Sequence, residues 1–181
     1  MGTGFLCLSG FLLAADPVDV WLDVPFVKQE KNGCGAASVA MVMQFWQRQL
    51  GQPAAASSDA GQIQRTLYSS RASGIYASDL ERYLEQSGFR TFVFQGGQSD
   101  LRQHLEKGRP LIVALKPRGH VPLHYVVVTG LEAGQNLVLL NDPAERKLLK
   151  QELASFEKEW KRAGNWTLLA VPQSKGASSA R

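Results

Sequence analysis

Gln29-Glu30-Lys31-Asn32-Gly33-Cys34-Gly35-Ala36-Ala37-Ser38 sets a thiol between two glycines, where an extended stretch ends and a helical run begins. At a helix N-terminus the aligned peptide dipoles and unpaired N–H groups act as about half a positive charge, which favours thiolate over thiol. Only the thiolate attacks carbonyl carbon efficiently. A cysteine is also a good small hydrophobe, so the residues around Cys34 must decide between chemistry and packing.

Working outward, Val18 to Val27 reads as extended and is broken by Pro25, while Ala36 to Leu50 carries Val39, Met43 and Trp46 on one helical face and stops at Gly51-Gln52-Pro53. Gln62 to Ser69 is a second helical stretch. Ser78 and Glu81 have the spacing of a capping box opening a third, which Gly88 ends. The pattern then turns to strand. Phe89 to Phe94 alternates up to Gly96-Gly97, Ser99 caps a short helix through Leu105, and Leu111 to Leu115 is an apolar run. His124 to Leu131 and Asn136 to Leu140 make a hairpin across Glu132-Ala133-Gly134-Gln135. Lys150 to Arg162 has helical amphipathicity, and Trp166 to Val171 is a closing strand. Helices first and antiparallel strands afterwards predict an α+β domain with the N-terminal helices packed on an antiparallel β-sheet.

Residues 1–15 differ from the rest: Phe5-Leu6-Cys7-Leu8-Ser9-Gly10-Phe11-Leu12-Leu13 is followed by Ala14-Ala15, the pattern of a secretory signal peptide, or of an N-terminal anchor where it is retained. Gly4 precedes Cys7 by three residues, so the leucine of a lipoprotein signal is missing. These features predict export to the periplasm or the extracellular space, with membrane proximity if the segment stays attached. Removing it leaves Cys34 without a disulfide partner, an unpaired thiol to be flagged as reactive. Residues 16–172 form one domain, and 173–181 is a small polar tail expected to be disordered. The net charge of +4 is spread along the chain without a sustained basic run, so the footprint of a nucleic-acid binder is missing.

A thiol nucleophile needs a histidine to carry its proton, and that histidine needs an acceptor to fix its tautomer. Of three histidines, His104 falls on what reads as a solvated helix surface and His120 in the loop Arg118-Gly119-His120-Val121-Pro122. His124 opens a strand that would hold its ring rigidly, which makes it the base candidate. Asn141-Asp142-Pro143 ends the second strand of the same hairpin. Pairing counted inward from Leu131 opposite Asn136 brings Asp142 back beside His124. Asp-Pro after a strand is also an ordinary turn starter. Cys34, His120 and His124 match no zinc-ligand spacing, and no cofactor is called for.

Gln29 with Cys34-Gly35-Ala36-Ala37-Ser38, Gly108-Arg109-Pro110-Leu111-Ile112-Val113, His124-Tyr125-Val126-Val127-Val128 and Asp142-Pro143, in that order, resemble the bacteriocin-processing, double-glycine-leader cysteine peptidases, and more closely their stand-alone exported relatives. The resemblance implies a papain-like fold and a cysteine endopeptidase acting on an exported peptide or protein. By it Cys34 is the nucleophile, His124 the general base and then acid, Asp142 its orienter, and Gln29, with the Cys34 backbone N–H, the oxyanion donor. Gly33 stands where exporter-linked members carry aspartate. The chain shows no phosphate-binding loop, so no ATP is expected on it. A peptide-binding or acyl-transferring relative of the same fold is the alternative reading.

Overall fold

A computed structural model describes residues 19–119 and 122–173. The apolar segment over 1–15, His120 and the chain from 174 onward lie outside the described residues. Three helices lead: α1 (Cys34–Gln49), α2 (Ala60–Leu67) and α3 (Ala77–Gln86). They are preceded by a two-residue strand β1 (Val20–Trp21) and followed by β2 (Phe89–Gln95), α4 (Gln98–Glu106), β3 (Leu111–Leu115), β4 (His124–Glu132), β5 (Leu137–Asn141), β6 (Leu149–Glu152), α5 (Leu153–Arg162) and β7 (Trp166–Pro172). The strands form one antiparallel sheet in the order β2-β7-β3-β4-β5-β6, with β1 added on β4.

The central strands are apolar on both sides, and both sides are covered. Ile112, Ala114, Tyr125 and Val127 join Val39, Met43, Ile63, Leu80 and Leu84 in the core beneath α1–α3. The alternate residues Leu111, Val113, Leu115, Val126 and Val128 pack with Leu101, Leu105, Phe156 and Trp160 of α4 and α5. Helix α1 is itself almost wholly buried, its residues from Gly35 to Met43 all being enclosed. That makes it a rigid mount for the thiol at its first position.

Several expectations need correction. Among the described residues of the stretch expected to be extended, 19–27, only Val20–Trp21 forms a strand. Helix α3 starts at Ala77 with Tyr76 as its extended N-cap, so Ser78 lies inside the first turn and no capping box forms. Helix α4 likewise starts before Ser99: Gly97 is the cap, and its N–H donates to Asp100 Oδ2 at 2.8 Å. Leu149–Glu152 pairs with β5 as an edge strand, leaving the helix to begin at Leu153. Its alternating half-buried and exposed residues suit an edge, and the helical periodicity belongs only to the residues of α5. His104 is not fully solvated. Its ring sits 5.8 Å from that of Phe94 with Nδ1 buried and unbonded, and burial, then the charges of Arg109 and Lys107, hold its pKa low. Gln173, the first residue assigned to the tail, donates to Gly88 and Phe89 carbonyls. Among the described residues no helix is long and apolar enough to cross a membrane.

The hairpin register also differs. Glu132 pairs with Leu137 and Leu131 with Val138, a bulge at Thr129 interrupts the ladder, and Val127 then faces Asn141. The bulge coincides with the crossing of β1, and Gly130 is what permits it: a Cβ there would lie 2.6 Å from the Val20 carbonyl oxygen. Extended one step, this register puts Asp142 level with Val126, two residues from His124 along β4. Diagonal neighbours of this kind are within reach of long side chains.

Candidate active site

The thiol's approach is a short irregular loop. Asn32 takes a left-handed φ of 58°, and Gly33 then starts the helix. A side chain at position 33 would meet the Glu30 carbonyl oxygen at 3.1 Å and Gln64 Oε1 at 3.4 Å, which explains the glycine before the cysteine. Gln64 Nε2 reaches back to the carbonyls of Lys31 and Asn32 at 3.4 and 3.5 Å. Cys34 therefore begins α1 half-buried and without a disulfide.

His124 starts β4 opposite Leu115 of β3. Its Nε2 donates to Asp142 Oδ1 at 2.8 Å, which leaves the other ring nitrogen available to the Cys34 thiol in the same cleft. The two side chains are 22% and 12% exposed, enough burial to strengthen their attraction without isolating them from solvent. Asp142 is held from behind as well, because the Ala144 N–H donates to the same Oδ1 at 2.9 Å and the Glu145 N–H to the Asp142 carbonyl at 3.0 Å. The Asp-Pro turn and the orienting carboxylate are thus one structure. The turn's backbone donors aim the carboxylate at the imidazole.

The electrostatics follow from this chain of contacts. Burial opposes ionisation of Cys34, but the His124 hydrogen bond, the Tyr125 backbone N–H, the His124 charge and the Gly35 N–H together bring its pKa below 9.0. Burial also works against charge on His124; hydrogen bonds to Asp142 and Cys34 and their negative charges outweigh it and raise the imidazole to about 9. At Asp142 burial is again the largest single influence, and the His124 bond and charge with the two turn N–H groups reverse it, so its pKa is lowered. Tyr125 is pushed up to about 12 by burial and by the neighbouring Cys34 charge. Each group's charge favours the other's, so the arrangement promotes a thiolate beside an imidazolium.

An open cleft of about 540 Å³ exposes the group, with Ile75, Tyr76 and Ala77 from the helical side facing Pro117, Pro122 and Leu123 from the sheet side. Gln29 lines it next to Cys34. The amide oxygen of Gln29 is buried without a partner, and no other described residue hydrogen-bonds its side-chain nitrogen, whose donors remain available to a bound oxygen. Gln29, Cys34, His124 and Asp142, chosen from sequence, all line this cleft, whereas His104 is on α4 elsewhere. Among the described residues no group of three or more His, Cys, Asp or Glu is arranged to hold a metal ion. Sequence reading passed over the Tyr125 and Gly35 N–H groups that face the sulfur, since backbone donors leave no residue signal. It also passed over Asn141, whose amide ends the otherwise apolar run Leu137–Leu140, a break in pattern that could have been noticed.

The Peptidase_C39-like family model matches residues 21–168, from β1 into β7. The chain belongs to this family. Its structure is similar to that of a C39-like peptidase from Bacillus anthracis (TM-score 0.69, 18% identity, covering 88% of this chain and 100% of that one). It is also similar to a double glycine motif protease from an AMS/PCAT transporter, solved with the leader peptide (0.65, 21%, 85% and 95%). The peptidase domain of Streptococcus ComA, a bi-functional ABC transporter of a quorum sensing pathway, is comparable (0.62, 20%, 83% and 98%). The chain has no match among curated proteins. The fold of this C39-like chain is therefore papain-like, as the motif order implied, with α1–α3 against one face of the antiparallel sheet.

Proposed function

We propose that this C39-like protein is a cysteine peptidase that hydrolyses a peptide bond through an acyl-enzyme at Cys34. The observation that carries the reading is that one cleft gathers Cys34, His124 and Asp142, with His124 near enough to lower the thiol's pKa while its Nε2 is fixed 2.8 Å from Asp142 Oδ1. The Cys34 thiolate adds to the carbonyl carbon. Negative charge then develops on the carbonyl oxygen, where the Gln29 amide and the Cys34 N–H at the start of α1 can meet it. Collapse expels the amine, which takes its proton from the imidazolium of His124 and leaves a thioester. Neutral His124 next removes a proton from water, whose oxygen attacks the thioester and restores the thiolate. Asp142 holds the ring orientation throughout and stabilises its positive form.

Peptide as the substrate class is supported by the family and by the relative solved with a leader peptide in a matching fold. The open cleft with apolar walls suits an extended chain. An exported setting rests on the composition of residues 1–15 alone.

The test is cleavage of a mixed peptide library followed by mass spectrometry. Products should appear with the wild type and vanish with Cys34→Ala, and an alkylating probe should label Cys34 near neutral pH far faster in the folded protein than after denaturation. Undiminished cleavage by Cys34→Ala would end the proposal.

A further inference from the structure

We propose that Asn141 is a positioning residue that clamps the Val24–Gln29 segment onto the Asp142 loop and so holds Gln29 at the oxyanion. The inference rests on the reading of Gln29 as oxyanion donor. Asn141 ends β5 after a run of buried aliphatics and is itself fully buried. An amide in such a place is costly unless its hydrogen bonds are made. Here they are. Nδ2 donates to the carbonyls of Val24 at 3.0 Å and Pro25 at 3.3 Å, and Oδ1 accepts the Leu148 N–H at 3.0 Å.

Those contacts fall where the chain packs on the core without regular secondary structure. Between Trp21 and Cys34 the chain forms neither helix nor strand, yet it carries Gln29. It is tied to the 141–143 segment at both ends: by the Asn141 amide at Val24 and Pro25, and by the Gln29 N–H, which donates to the Pro143 carbonyl at 2.9 Å. On its far side Asn141 closes the 142–148 loop, holding Leu148 at a φ of 52° that leucine rarely adopts. Asp142 has supports of its own in the Ala144 N–H and the His124 ring. Loss of the Asn141 amide should therefore loosen Gln29 more than Asp142, a pattern that general destabilisation would not produce.

A double-mutant cycle on the full chain tests this, with peptide hydrolysis and the pH dependence of Cys34 alkylation by iodoacetamide as readouts. Removing an oxyanion donor outright costs about 10²- to 10³-fold in kcat, so loosening it in Asn141→Ala should cost about tenfold, with KM nearly unchanged. The alkylation profile should coincide with that of the wild type. Gln29→Ala/Asn141→Ala should be no slower than Gln29→Ala, because a clamp has nothing left to position. Additive losses would overturn the clamp while leaving Gln29 as oxyanion donor. A shift of the alkylation profile to higher pH would also overturn it, by showing that Asn141 serves the His124–Asp142 pair. Full activity in Gln29→Ala would remove the oxyanion reading and the clamp together. If Asn141→Ala does not fold, Asn141→Ser, whose hydroxyl retains one donor, enters the same cycle with the same criteria.

Discussion

The three titrating side chains set each other's charge, so removing one carboxylate has a consequence that can be read in a pH profile. In the proposed mechanism activity requires the thiolate and the imidazolium together, which confines it between the lowered Cys34 pKa on the acid side and the His124 pKa of about 9 on the alkaline side. Asp142→Asn removes the charge and the carboxylate acceptor that support the imidazolium. The alkaline limb of kcat/KM should move to lower pH, the bell should narrow, and kcat should fall by at least about tenfold, toward the losses seen when a catalytic histidine loses its orienting carboxylate. An alkaline limb unmoved in Asp142→Asn would mean that something else carries the His124 proton. That Cys34, His124 and Asp142 would meet in one cleft was legible in the sequence, because few residue types suit the proposed chemistry and each stands at an element boundary that the pattern marks. Gln29 was legible only through the motif order, since a loop glutamine has no signature of its own. Asn141 was visible only as a polar break in an apolar run, and its contacts were not legible: it donates to the carbonyls of Val24 and Pro25, more than a hundred residues away, and the segment joining them has no periodicity to align it.

At the level of elements, the sheet had to admit β1 across β4 before Leu22 and the segment beyond it could run toward the cleft, with the Leu22 N–H on the Thr129 carbonyl at 2.8 Å. Gly130→Ala tests how much depends on that crossing. Its Cβ would meet the Val20 carbonyl oxygen, Leu139 Cδ1 and Trp21 Cβ at 2.6, 2.8 and 2.8 Å, and the backbone contact cannot be relieved by a rotamer change. Such overpacking should destabilise the fold by about 1–3 kcal/mol, measured by urea unfolding, with activity falling further as β1 lifts and the 22–29 segment follows. Strands with continuous apolar runs or clear turns were readable, Leu111–Leu115 to the residue and β7 to within one. Errors gathered where local signals competed. Ser78 and Ser99 look like caps, but extended Tyr76 and Gly97 cap those helices, each two residues earlier. The 149–152 segment has the composition of the helix after it, and only pairing with Leu137 to Leu140 of β5, a tertiary fact, makes it strand. The turn through Ala133–Gln135 and left-handed Asn136 displaced the counted register by two residues and the bulge at Thr129 took back one, so His124 and Asp142 still came within hydrogen-bond reach.

For the molecule as a whole, the cleft is a place where two halves of the core are joined by charge. α1 contributes the thiol from the helical layer, and β4 with the loop after β5 contributes the imidazole and carboxylate from the sheet, so the ion pairs work across the layer boundary and enter the pH dependence of folding. His124 is raised in the folded state from 6.5 to about 9, so its contribution to stability is fully present below about 6.5 and is lost as pH rises through about 9. Asp142 is lowered: its contribution is present above its unfolded value of 3.8 and is lost as pH falls through the lower folded one. Cys34 is lowered too, so its contribution is complete only above 9.0 and declines as pH falls through its folded pKa. Urea unfolding of the wild type against His124→Ala at a series of pH values should separate these. The stability advantage of the wild type should be largest near pH 6, remain through neutrality, and shrink steadily on the approach to pH 9 and beyond. An advantage independent of pH from 6 to 10 would mean that the imidazole contributes by packing alone, with no charge shared between the helical and sheet layers.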